Sequence, residues 1–312
     1  MHRFKILSWF LAIAGCLSFS SAWAAGGKIP VFVSIAPQAD FVQQIGGDRV
    51  DVHILVAPGA DPHTYEPKPR QMAALSKARL YFAVGIEFEK AWLGKFTAMN
   101  PALKVVHTDH GILKLPMAAH MHHHHDDGKE SGTTAHDADD EHENTHDDEM
   151  GNRDPHIWLS PPLVMLQARS ILTALEAVDP DHRSVYEANY RAFILSLVDL
   201  DARLRADFDG LAGAAFMVLH PSWGTFAHAY GLHQIPVEIQ GKDPKPAQLK
   251  ALIEHARAEG IKVVFVQPQF SAKSAEQIAR AIDGRVIMVD PLARDWAANL
   301  RHAAEEFKHA LR

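Results

Sequence analysis

Cysteine is almost missing from this chain: Cys16 is the only one in 312 residues. It lies in the first apolar stretch, so a chain that loses that stretch has neither a disulfide nor a thiolate metal site. Any transition-metal site must then use imidazole and carboxylate. Long apolar runs are lacking too. The run from Ile6 through Leu17 is interrupted by Ser18, Ser20 and Ser21, which leaves it short of the roughly 20 residues a membrane span needs. A basic surplus is also absent. Net charge is −7, and losing Arg3 and Lys5 with residues 1–24 makes it −9. From Asp126 to Glu149 eleven acids stand against Lys129 alone, so the remaining chain is close to neutral. No basic stripe is left to suggest a nucleic-acid partner.

What is present begins with an export pattern. Basic His2, Arg3 and Lys5 precede the apolar run, and small residues follow it up to Ala22-Trp23-Ala24. These are the three parts of a secretory signal peptide, with cleavage expected after Ala24 and no stable membrane insertion thereafter. A membrane anchor is one alternative. A lipoprotein box at Ile13-Ala14-Gly15-Cys16, leaving Cys16 lipidated, is another.

The chain as a whole is 47% hydrophobic, enough for about two domains. From Pro30 to Val106 short apolar runs (31–35, 52–56, 80–84) alternate with helical patterns (39–45, 70–77, 88–99), which indicates an α/β lobe with a largely parallel sheet. Residues 117–153 break this rhythm. They carry His120, His122 to His125, His136, His142 and His146 among acids, and their composition predicts a disordered, solvated insertion. After Asp179-Pro180, apolar residues from Tyr186 to Leu211 recur every three or four positions. One helix over 181–211 is expected, roughly 45 Å long at 1.5 Å per residue and able to connect two lobes. A second α/β lobe follows, with strands expected at 216–219, 263–266 and 286–289 and helices at 246–259 and 272–282. The predicted organisation is a signal peptide (1–24), an N-terminal lobe with the insertion (25–180), the linking helix (181–211) and a C-terminal lobe (212–312).

Four potential ligands stand at the ends of elements. His63 lies in the turn-rich stretch after the second strand, His156 where the polar insertion gives way to a helix, and His220 and Asp290 each terminate a C-terminal-lobe strand. Open α/β sheets bind ligands beyond the carboxyl ends of their strands, so the four side chains can converge between the lobes. Three neutral imidazoles and one carboxylate form an N₃O set of the kind zinc favours. Each residue alone also has a bland reading: a surface histidine beside proline, or an Asp-Pro turn. His53, His182, His228, His255, His302 and His309 take the structural reading.

Taken together, GADPHTYEPKP (59–69), DPHIWLSP (154–161), HPSWGTFAHAYGL (220–232) and VDPL (289–292) resemble the ZnuA-type zinc-binding solute receptors of metal ABC importers. The resemblance spans nearly the whole secreted chain. It implies two α/β lobes joined by one long rigid helix, a single Zn²⁺ carried as cargo in the cleft between them, a periplasmic monomer, and a membrane permease as partner. It also implies no enzymatic step. His220 stands where manganese receptors of the family carry a carboxylate, which favours zinc. Pro62 replaces a glutamate that some zinc receptors use as a ligand, so the fourth place falls to Asp290 or to water. A family-typical tyrosine of the third motif is replaced around Thr225, and Gln267 stands at a commonly acidic position.

Three other functions compete: a zinc hydrolase, a zinc buffer or metallochaperone, and a metal-dependent adhesin. The hydrolase finds no His-Glu-x-x-His helix here, and Glu66, the acid nearest a ligand motif, stands beside Pro67 and Pro69, which read as loop scaffolding. Neutral histidines among carboxylates also make the insertion a collector of further, weakly held zinc ions; a plain solvated linker is its alternative. Deleting residues 120–146 is expected to lower the metal stoichiometry while one tight site remains, as counted by zinc titration against a competing chelator.

Overall fold

The computed structural model describes residues 27–117, 153–239 and 242–312. The expected signal peptide, Cys16 and most of the histidine-rich insertion lie outside the described residues. Two four-stranded parallel sheets carry the chain. The first comprises β1 (Ile29–Val33), β2 (Val50–Ile54), β3 (Leu80–Ala83) and β4 (Lys104–His107), in the order β2-β1-β3-β4. The second comprises β5 (Ala215–Val218), β6 (His233–Pro236), β7 (Val263–Val266) and β8 (Arg285–Met288), in the equivalent order β6-β5-β7-β8. Every residue of β3 and β7 is buried. These strands are covered on both faces by helices and therefore read as unbroken apolar runs, whereas edge strands β4 and β8 expose their ends.

Helices α1 (Ala36–Gly46), α2 (Pro69–Leu75) and α3 (Glu87–Met99) serve the first lobe. Between the lobes stand α4 (Pro161–Val178) and α5 (Arg183–Asp207). The second lobe adds α6 (Gly224–Ala229), α7 (Pro246–Ala258), α8 (Lys273–Ala281) and α9 (Trp296–Ala310). The expected 181–211 helix is shorter at both ends. Pro180–His182 form a 3-10 turn, because Asp179 accepts hydrogen bonds from the Tyr186 hydroxyl (2.6 Å) and His182 Nδ1 (2.9 Å) and so folds the entry back on itself. The helix stops at Asp207, and Gly210 follows at φ +76°, a conformation glycine adopts without strain. Twenty-five residues still make about 37 Å. No helix among the described residues is long and apolar enough to cross a membrane.

The lobes share one core. A continuous buried cluster runs from Val31 and Phe82 through Phe41 and Leu197 to Phe265 and Phe307. A smaller cluster fills the other face of the second sheet. Trp158 and Trp296 fasten the junction. Trp158 Nε1 donates to the Pro291 carbonyl at 2.8 Å, Trp296 Nε1 donates to the Trp158 carbonyl at 2.7 Å, and Phe41 meets Trp296 edge to face at 5.1 Å. Such a joint resists hinge motion, because both indole N–H groups are satisfied inside a packed interior.

At the carboxyl end of the first sheet lies a buried acid. Glu89 is 2% exposed, and it accepts from the Ser34 hydroxyl and from the backbone N–H groups of Val84 (2.9 Å) and Gly85 (2.7 Å). Burial outweighs these bonds and pushes its pKa up to about 7. The folded chain therefore holds this proton more tightly than the unfolded chain does. The associated stability is present below the ordinary glutamate range and is lost as pH rises toward 7. In unfolding experiments without metal, replacing Glu89 by Gln is expected to flatten the decline in stability between pH 5 and 8, by up to about 3 kcal/mol.

Candidate metal centre

Three turns bring three imidazoles together, and two of them share one local device. In Asp61-Pro62-His63 the His63 N–H donates to Asp61 Oδ1 at 2.8 Å. In Asp154-Pro155-His156 the His156 N–H donates to Asp154 Oδ1 at 2.9 Å. Each is an aspartate bonding the backbone two residues on, with proline pre-setting the residue between. His220 instead lies two residues beyond the end of β5. Its backbone is clamped by one amide: the His220 N–H donates to Gln267 Oε1 (3.3 Å), and Gln267 Nε2 donates to the His220 carbonyl (2.7 Å). A carboxylate at 267 lacks the second of these bonds, which is the physical reason glutamine suits this position.

The three ligand nitrogens lie within 4.8 Å of one another. Nε2 of His63 and Nε2 of His220 are 3.1 Å apart. Two nitrogens on a tetrahedral zinc, each about 2.0–2.1 Å from it, stand roughly 3.3–3.4 Å apart, so a small shift admits the ion. Every Nδ1 faces a carboxylate: His63 to Glu87 at 2.5 Å, His156 to Asp154 at 2.7 Å, His220 to Glu238 at 2.8 Å. A carboxylate only accepts, so each ring carries its proton on Nδ1 and turns the Nε2 lone pair inward.

The electrostatics differ around the ring of ligands. Burial alone opposes charge on His63, but the bond to Glu87 and the charges of Glu87, Asp61 and Glu238 outweigh it and raise its pKa. Glu87 in turn is held down at about 2, because its bond to His63 and the charge of that ring overcome the burial that favours its neutral form. His156 is 2% exposed, and burial lowers its pKa in spite of Asp154. Without metal, then, a proton on His63 Nε2 can be donated to His220 Nε2, occupying the space a cation would take.

The remaining wall explains why the second and third sequence motifs sit against each other. Thr225 Oγ1 donates to the His156 carbonyl at 2.6 Å. A Cβ on Gly224 would lie only 2.6 Å from Asp154 Oδ2, so glycine lets the first turn of α6 approach the aspartate that orients His156. Phe270 stacks on His220 at 4.7 Å, and Pro62, Trp158, Ser222, Gln269, Pro291 and Leu292 complete the lining of a small cleft.

Of the four residues read from sequence as ligands, the structure brings His63, His156 and His220 together and places Asp290 outside that group. Asp290 Oδ1 accepts from the Leu292 N–H (3.0 Å) and from Gln269 Nε2 (2.8 Å). It thereby forms the same aspartate-proline turn that carries His63 and His156. Glu87, Asp154, Glu238 and Gln269 were not read from the sequence as site residues. The repeated Asp-Pro-His tripeptide marks Asp154; Glu87 and Glu238 have no local signal, since only the fold brings them to their histidines.

The family model described as "Zinc-uptake complex component A periplasmic" matches residues 31–310. The high-affinity zinc uptake system protein ZnuA of Bacillus subtilis is 30% identical over 297 residues, covering 93% of this chain and 87% of that protein. A solved structure described as "Crystal structure of ZnuA" is 40% identical, with a TM-score of 0.79, covering 91% of this chain and all of the other. A ZnuA deletion mutant with zinc bound is likewise 40% identical, with a TM-score of 0.78, over 91% of this chain and 98% of its own. The chain belongs to the ZnuA family of periplasmic zinc-uptake components.

Proposed function

We propose that this chain is the periplasmic receptor that captures one Zn²⁺ through Nε2 of His63, His156 and His220 and presents it to the permease of an ABC importer. The observation that carries the reading is the set of three inward-facing lone pairs, each fixed by a carboxylate on the opposite ring nitrogen. Imidazole nitrogens suit zinc better than manganese, which favours oxygen donors. The fourth place belongs to an oxygen, either Asp290 or water. The receptor performs no covalent chemistry. The carboxylates nearest the cleft orient the ligands and are not free to act as general bases, and Glu66 is exposed. Residues 1–24 fit an export signal for the secreted chain, and the histidine-rich insertion fits an accessory collector of weakly bound zinc. The wider uptake relatives, which include a ZnuA, support the importer partner over a free-standing buffer or an adhesin.

Competition titrations of zinc against a chelator test the ligand set. Changing His63, His156 or His220 to Ala is expected to weaken the tight site by more than the roughly 10- to 100-fold typical of an orienting partner, and Glu87→Gln, Asp154→Asn or Glu238→Gln by an amount within that range. Tight binding that survives all three histidine changes would falsify the assignment.

Proton competition supplies a second test. Zinc needs neutral His63, and the raised pKa of His63 lets protons compete above the ordinary imidazole range. Affinity is expected to fall as pH drops from 7.5 to 5, by about tenfold per unit for each proton displaced. Glu87→Gln removes the group that raises the pKa, so the fall should begin at lower pH. A flat profile in the wild type would count against an imidazole site.

A further inference from the structure

We propose that Gln269 decides what fills the fourth place on the metal, by holding the Asp290 carboxylate away from the three imidazoles and offering its own amide oxygen to a metal-bound water. This rests on the three-imidazole reading of the site. Gln269 lines the cleft with His63, His156 and His220. Its side chain meets Asp290 Oδ1 at 2.8 Å. A carboxylate only accepts, so the amide nitrogen must be the end that faces Asp290 and the amide oxygen must face away from it. That oxygen is buried and has no hydrogen-bond partner among the described residues.

A buried carbonyl oxygen without a donor is costly. For a side chain on the wall of the cleft that holds the three imidazoles the simplest donor is a water molecule, and a water on zinc is a strong donor because the cation makes its protons acidic. Asp290, by contrast, is restrained. Its Oδ1 also accepts the Leu292 N–H at 3.0 Å, and its carbonyl is held by Asn299 Nδ2 of α9 at 2.6 Å. To reach the metal the carboxylate has to give up the bond to Gln269 and disturb the turn that sets Pro291 and Leu292 in the cleft wall. A water ligand leaves Asp290 and its turn in place, and a bond from it would satisfy Gln269 Oε1. A water ligand is exchangeable, which suits a receptor that must pass its ion on.

The test uses the secreted chain loaded with one equivalent of cobalt(II), whose visible absorption reports the ligands, and azide, which displaces a bound water but not a protein carboxylate. In the wild type, azide is expected to change the cobalt spectrum. Gln269→Met keeps the side-chain length but removes both donor and acceptor. Asp290 then closes the site, the azide response disappears, and zinc release to a chelator slows roughly 10- to 100-fold. Adding Asp290→Ala to that variant should restore both the azide response and fast release, which a mere packing defect does not do. The proposal is overturned if wild-type cobalt ignores azide, or if Gln269→Met leaves azide response and release unchanged. Undiminished one-equivalent cobalt binding in His63→Ala would instead overturn the underlying site.

Discussion

The bond between each histidine Nδ1 and its carboxylate is the constraint on which the metal centre depends. An imidazole free to choose its tautomer presents the wrong nitrogen part of the time, and a free ring samples orientations that binding must then freeze. Glu87, Asp154 and Glu238 remove both costs before the ion arrives. They also place negative charge behind each ring, where it raises ligand basicity and attracts a dication without occupying a coordination position. The placement is uneven in its effect. Half-buried His63 keeps a raised pKa, while deeply buried His156 has a lowered one.

Orientation at one histidine is useless unless the three are held in register, and they come from segments up to 157 residues apart. The shared core answers that need. His63 hangs from the first sheet and His220 from the second, while His156 precedes the turn that carries Trp158 into the junction. Trp158 itself meets His156 at a tilt, ring centroids 5.1 Å apart, and bonds to the backbone beside Asp290. The candidate ligands are thus tied to packed tryptophans at the junction of the lobes.

Much of this was legible in the sequence because the underlying patterns are local. Alternating short apolar runs and helical periods announced two parallel α/β lobes, since buried central strands such as β3 and β7 have to be apolar throughout. The three histidines stood out because they terminate elements beside proline, where side chains face a crevice. What was hidden is non-local. Glu87 reads as an ordinary acidic first turn of α3, and Glu238 as the residue after an edge strand; only folding brings them to histidines 24 and 18 residues away. Strands β4 and β6 are short and half-exposed, so their weak patterns escaped notice. The long helix was overextended because Phe208 and Leu211 continue its apolar period, yet they pack as a capping turn.

Asp290 shows how the same motif serves two ends. Asp61, Asp154 and Asp290 all precede proline, and all three bond the N–H two residues on. In the first two cases the residue so positioned is a histidine ligand; in the third it is Leu292, and the aspartate itself is the group with ligand chemistry. A carboxylate that stabilises its own turn is not free to coordinate without loss, and Gln269 adds a second bond to the same oxygen. On the proposed reading, the site holds three ligands by hydrogen bonds that favour coordination and restrains a fourth by hydrogen bonds that oppose it. Tight capture then follows from the first set and escape from the second, because an ion closed in by four protein ligands leaves slowly, whereas one open to exchange can pass to a new ligand one bond at a time.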